Sequence, residues 1–260
     1  MKLMLNTLRK HWREYVIEAW CLAAFMVSAC VFGVALFHPM SPAAELGFPL
    51  LSVAMGVVMG STAIAIICSP WGKRSGAHLN PAVTLTFLRL GKISSVDAMF
   101  YVCAHFIGGV IGVFFAWQIL GELLADGMVN FVATVPGPYG LVGAFIGEAV
   151  ISFFMMAMIL WTTNSARLSS LTPYLAGVLV AFYISIESPF SGMSMNPART
   201  FASSVFSGSW SGWWIYFTAP PIAMLAAAEV FVRLRGLQAV LCAKLHHNEC
   251  AKCIFNCNYS

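Results

Sequence analysis

The sequence predicts an all-α membrane protein with six transmembrane helices and two re-entrant half-helices, arranged as an inverted repeat. Three observations carry that expectation. Hydrophobic residues make up 60% of the 260 residues and charged ones only 9%, with a mean hydropathy of +0.82, whereas a soluble domain carries about a quarter charged residues. Six apolar runs approach the ~20 residues needed to cross a hydrocarbon core of about 30 Å. One motif also occurs twice, once in each half: Ser75-Gly-Ala-His-Leu-Asn-Pro-Ala-Val-Thr-Leu85 and Gly192-Met-Ser-Met-Asn-Pro-Ala-Arg-Thr-Phe201.

In chain order, Met1 to Arg13 is a short basic lead. The first span, about Tyr15 to Phe37, is too long for the core of a cleavable signal, and no small-residue cleavage site stands out. A Pro-containing loop, His38 to Gly47, leads to a second span at about Phe48 to Cys68. The first Asn-Pro-Ala segment follows and ends near Lys92, before a third span at about Ala98 to Leu120. A polar loop rich in Gly and Pro, Gly121 to Gly140, separates the halves. Spans four and five run from about Leu141 to Thr163 and Pro173 to Ile186. The second Asn-Pro-Ala segment precedes the sixth span, about Trp213 to Val232. This organisation gives a membrane domain over 1–235, with repeats at about 14–120 and 141–235, and a Cys/His-containing tail at 236–260.

Each Asn-Pro-Ala has the chemistry of a helix start. Asn is a good N-cap, and proline at the first helical position loses nothing by lacking an N–H. Pro81 to Leu90 offers about ten residues, which at about 1.5 Å each reach only halfway across a bilayer. A half-span with an irregular lead cannot face lipid, because its backbone polar groups would be stranded; it must be buried in protein or line a watery cavity. A pore is therefore expected.

Charge supplies the topology. With the amino terminus cytoplasmic, 13 of the 14 Lys and Arg fall on the cytoplasmic side, as the positive-inside rule requires. The loops around Glu45 and around Glu122 and Asp126 hold none. Arg199, directly after the second Asn-Pro-Ala, is the exception, and a charge at membrane depth marks a functional candidate. Glu18-Ala19 in the first span matches Glu148-Ala149 in the fourth. Both carboxylates are expected to hold the backbone of the irregular segments, since a buried carboxylate must accept hydrogen bonds. Three full spans per half put the second repeat into the membrane upside down, so the half-helices enter from opposite faces and meet at the midplane. The expected location is integral and multi-pass, both termini cytoplasmic, in a plasma or inner membrane. The cations flank apolar spans rather than forming a patch, so no nucleic-acid partner is expected.

From about Glu14 to Arg235 these residues resemble the aquaporins, or major intrinsic proteins, closer to their water-channel branch. The resemblance implies a right-handed bundle, a tetramer with one pore per subunit, and a passive channel for water that excludes protons and ions. It implies that Asn80 and Asn196 donate hydrogen bonds to permeating molecules at the midplane, and that Arg199 lines an outer constriction. Backbone carbonyls of Gly76, Ala77 and His78 and of Gly192, Met193 and Ser194 would supply acceptors. Counting along the motifs assigns the remaining filter positions to Gly60, Ile184 and Met193. Met59 replaces Gly60 if Ser69-Pro-Trp-Gly72 carries an insertion. Water channels usually have Phe and His at the first two positions, so a wider filter passing glycerol, urea, ammonia or hydrogen peroxide is the alternative. Thr200 after the filter Arg, the aromatic pair Tyr216-Phe217 and short outer loops favour water. An adhesion role or an ion-coupled transporter ranks lower, and no nucleophile–base or metal constellation within the membrane suggests an enzyme.

Other polar residues have structural expectations. His105 is expected to make a structural contact, as is His78, for which a pH-responsive gate is the alternative. Glycines four apart, Gly56 with Gly60 and Gly108 with Gly112, suit close helix contacts. The tail holds Cys242, Cys250, Cys253 and Cys257 beside His246 and His247. His246, His247, Cys250, Cys253 and Cys257 have the donor types of a soft-metal site, but without a second spaced pair. The expectation is no metal and no cofactor, with lipid bilayer, water and small neutral solutes as partners.

Overall fold

A computed structural model describes residues 2–247 and 253–259. Its ten α-helices are α1 (Lys2–Phe37), α2 (Phe48–Cys68), α3 (Pro70–Ser75), α4 (Pro81–Arg89), α5 (Ser95–Leu120), α6 (Glu122–Ala125), α7 (Gly140–Thr163), α8 (Thr172–Ser191), α9 (Pro197–Ser207) and α10 (Trp213–Arg235). Six of these, α1, α2, α5, α7, α8 and α10, are long and apolar enough to cross a membrane. The half-helices are α4, of 9 residues, and α9, of 11.

Packing follows the repeat. Within the first half α1 packs most extensively on α5, and within the second α7 on α10; α2 and α8, the middle span of each half, join the halves. Small residues permit these approaches. A Cβ on Gly108 would meet the Ala19 carbonyl oxygen of α1 at 2.1 Å, and one on Gly60 would meet the Gly177 oxygen of α8 at 2.4 Å. The half-helices sit inside, α4 against α10 and α5, and α9 against α5 and α10. Large apolar side chains such as Val57, Ile107, Phe115, Val142, Phe154 and Ile222 face outward, as a lipid-facing surface requires.

Several boundaries differ from expectation. The basic lead continues α1 as helix, tied down where Asp97 accepts from Tyr15 Oη at 2.6 Å and pairs with His11 at 2.7 Å. Helix α8 runs five residues past Ile186: Pro189 removes one ladder bond without ending it. The helix stops at Gly192, which is left-handed at φ 78° with its N–H on the Ser188 carbonyl. The 121–140 connection contains α6 and a turn at Asn130–Val132, three successive non-glycyl residues at φ 44°, 51° and 50°. Below, the face carrying the N-terminal residues, Lys73 and the tail is the inner face, and the opposite one the outer.

Candidate functional site: a central pore with mirrored tips

The two irregular leads share one backbone pattern. Gly76, Ala77 and Leu79 have positive φ, as do Gly192, Met193 and Met195, whereas Asn80 and Asn196 are extended at φ −149° and −145°. Left-handed conformations at Ala, Leu and Met are costly and persist only when the surroundings enforce them. Here the enforcing groups are carboxylates. Glu18 accepts from the N–H groups of His78 (3.2 Å) and Leu79 (2.8 Å). Glu148 accepts from those of Ser194 (2.6 Å) and Met195 (2.7 Å). Ser75 Oγ takes the Ala77 N–H and Ser191 Oγ the Met193 N–H. Tyr101 donates to the Ser75 carbonyl and Tyr216 to the Ser191 carbonyl, each at 2.7 Å.

At the centre the tips lock together. Asn80 Oδ1 caps α4 through the Ala82 N–H, and its Nδ2 donates to the Met195 carbonyl at 2.7 Å. Asn196 Oδ1 caps α9 through Ala198 and Arg199, and its Nδ2 donates to the Leu79 carbonyl at 2.8 Å. Each amide nitrogen carries two hydrogens, so one N–H per asparagine remains beyond the crossing bond. Both asparagines line a cavity of about 360 Å³ whose wall extends from Phe48, at the outer end of α2, to Leu245 of the tail.

The remaining expected residues divide. Arg199, Ile184, Met193, Ala77, His78, Gly192 and Ser194 all line this cavity. Gly60 is not among its lining residues and lies at the α2–α8 contact, where its missing side chain admits the partner backbone. The α2 residues on the wall are Phe48, Ser52, Met55, Met59, Ala63 and Ile67. Gly56 sits against Ala181 and Gly60 against Gly177. That antiparallel register brings Ile184 level with the stretch between Ser52 and Met55, between one and two turns outward of Met59. Gly76 also departs from the expected acceptor ladder, because its carbonyl accepts the Leu245 N–H at 3.1 Å.

The outer rim contains residues the sequence did not single out. Arg199 Nη1 donates to the Val132 carbonyl at 2.6 Å, and Thr134 Oγ1 bonds Thr200 Oγ1 at 2.7 Å. The left-handed run before Ala133 aims that carbonyl inward, anchored by Phe131 against Trp117 and Phe206. Glu187 was also missed: it is buried, and its carboxylate oxygens have no hydrogen-bond partner among the described residues. Glu187 on a mostly apolar span was the available signal, by the same logic that singled out Arg199.

On the inner side, His78 bridges Thr84 Oγ1 (2.9 Å) and the Ala243 carbonyl (2.8 Å) and stacks on Phe255. His105 pairs with Glu18 at 2.9 Å. In the tail, Cys242, His247, Cys253 and Cys257 bring their ligand atoms within 4.8 Å of one another. His246 is not in that group and faces Cys68 Sγ at 3.9 Å; Cys250 lies outside the described residues.

The model of a family described as major intrinsic protein matches residues 5–231. Aquaporin NIP2-3 of Zea mays is 35% identical over 191 residues, which are 72% of this chain and 60% of that protein. The chain thus spans about 60% of the length of that relative. Probable aquaporin TIP4-1 of Oryza sativa subsp. japonica is 28% identical over 240 residues, 87% of this chain and 94% of that protein. Among solved structures, the aquaglyceroporin from Plasmodium falciparum superposes with a TM-score of 0.70 at 17% identity, over 88% of this chain and 98% of that one, a likeness of fold.

Proposed function

The chain belongs to the major intrinsic protein family, whose members are passive channels and not enzymes, and from that premise we propose that it conducts water while excluding protons and ions. The observation that carries this reading is the crossing pair of asparagine amides inside the cavity. Each leaves one N–H for a passing molecule at the point where two helix N-termini face each other. Each terminus carries about half a positive charge. Together they oppose a monovalent cation about 4 Å away by about 4 kcal/mol at an effective dielectric constant of ~20. A neutral water meets no such barrier. Its oxygen accepts from Asn80 and Asn196, which turns both its hydrogens away from them and interrupts a proton wire. Arg199 adds its charge at the outer rim, oriented by the Val132 carbonyl. Carbonyls of Ala77, His78, Met193 and Ser194 are the acceptors along the path.

Selectivity for water over larger solutes is supported by the wall of α2, where Met55 and Met59 stand in place of the bare Gly60. A second reading, passage of small neutral solutes such as glycerol, keeps one observation in its favour: Ile184 puts an aliphatic side chain on the wall of the cavity that Arg199 also lines. Both termini cytoplasmic and a homotetramer with one pore per subunit complete the proposal. Stopped-flow light scattering of proteoliposomes, with the full chain and with Leu245→Ala, tests it. Fast shrinkage in sucrose with slow glycerol entry is the expected result. Fast re-swelling in glycerol favours the second reading, and rates no higher than empty liposomes for both chains overturn the channel.

A further inference from the structure

The tail does not hang free; it returns under the inner mouth. Leu241 N–H donates to Asn164 Oδ1 at 2.6 Å, and Asn256 N–H donates to the Lys92 carbonyl at 2.9 Å. With Leu245 bonded to Gly76 and Phe255 stacked on His78, the tail reaches the end of α7, the turn after α4 and the irregular lead before Asn80. Leu245 is itself a wall residue of that cavity. A stretch with so little regular structure needs something to fix it there.

We infer that Cys242, His247, Cys253 and Cys257 bind one zinc ion, and that this ion fastens the tail so that Leu245 obstructs the inner mouth. Three points support the site. Donors about 2.3 Å from one tetrahedral zinc lie about 3.8 Å apart; Cys242 Sγ and Cys253 Sγ are 3.6 Å apart, and His247 Nε2 and Cys257 Sγ 3.2 Å. All four ligand atoms lie within 4.8 Å of one another, so even the widest pair need close by no more than about 1 Å to share one ion. Finally, Lys244 is 1% exposed and its ammonium has no hydrogen-bond partner among the described residues. Zinc with three thiolates and one imidazole carries a net charge of −1, the counter-charge a buried lysine requires. Binding releases the three thiol protons to solvent. On a reducing face these cysteines are free to act as ligands rather than as a disulfide.

The obstruction half of this inference rests on the channel reading above, whereas the metal site does not. The first measurement is therefore zinc per chain, by mass spectrometry of the full-length protein purified without an affinity metal. One equivalent is expected in wild type and in His246→Ala, which alters a neighbouring histidine outside the set. Cys253→Ser/Cys257→Ser should fall to about a tenth or less while remaining monodisperse. Cobalt substitution should give thiolate charge-transfer absorption that the double variant lacks. Absence of zinc from folded wild type, retention by the double variant, or a Cys242–Cys253 disulfide in anaerobically prepared protein would overturn the site. The second measurement is osmotic water permeability: chelation, the double variant and Leu245→Ala should each raise it severalfold, the last without losing zinc. Zinc bound at one equivalent with permeability indifferent to its removal overturns the obstruction. Zinc bound with no permeability in any variant overturns the channel reading instead.

Discussion

The two re-entrant hairpins are built alike at their cores and differently at their edges. In both, a carboxylate from the first span of the repeat accepts two successive backbone N–H groups, a serine hydroxyl takes a third, and a tyrosine pins the serine carbonyl. The differences lie outside this frame. The first hairpin is closed on the inner side by the tail, through His78, Gly76 and Phe255. The second faces the outer rim, where Arg199 and Thr200 are held by Val132 and Thr134 of the inter-repeat connection. The shared frame positions the asparagine tips; the unshared surroundings set what each mouth admits. A channel can therefore change its outer filter or its inner closure without disturbing its centre.

Breaking the shared frame should have the largest effect, and the same effect on both sides. Glu18→Ala and Glu148→Ala each strand two buried N–H groups at about 1–3 kcal/mol apiece, a loss of about 4 kcal/mol in all. Thermal unfolding in detergent should show a large and similar drop for both, and an unchanged midpoint in either would contradict the scaffold role. Charge reversal at the tips comes next. Asn80→Asp or Asn196→Asp places a negative charge against the helix termini and should raise cation or proton leak by up to ~10³-fold, from a barrier of about 4 kcal/mol. A pH-sensitive dye inside liposomes reads this, and leak at the wild-type level in both variants removes the electrostatic account.

The outer edge alone is probed by Arg199→Val. A unit charge about 10 Å from the centre acts with about 1.7 kcal/mol at an effective dielectric constant of ~20, so leak should rise roughly tenfold, less than for the tip variants. An equal or larger rise would shift the main barrier from the tips to the rim. Smallest are Tyr101→Phe and Tyr216→Phe, each removing one hydrogen bond worth about 1 kcal/mol. Matching shifts in unfolding midpoint are expected, and a marked inequality would show that the mirrored bonds are not energetically equivalent.

What was legible in the sequence was what local pattern encodes. Spans announce themselves by apolar length, the half-helices by Asn-Pro, and the paired carboxylates by their place in each repeat. Gly60 shows where counting fails. Distance from Asn80 fixes a residue's height along α2 but not the direction it faces. That direction is set by the contact with α8, which draws glycine to the helix interface and leaves Met55 and Met59 on the wall. The Val132 carbonyl was hidden for another reason. Three consecutive left-handed residues, Asn130, Phe131 and Val132, have no glycine to signal them and depend on long-range anchoring by Trp117, Phe206 and Arg199. The tail was equally opaque: it has no periodicity, and the approach of Cys242 to Cys253 depends on how the chain returns to Gly76 and Lys92.

The most direct test follows water and protons in the same proteoliposomes, carrying the full chain with Leu245→Ala so that the inner mouth is clear. Under a sucrose gradient the account predicts shrinkage far faster than in empty liposomes, while a pH gradient decays no faster than in empty ones. Proton entry rising in step with water flux, or shrinkage no faster than in empty liposomes, would contradict it.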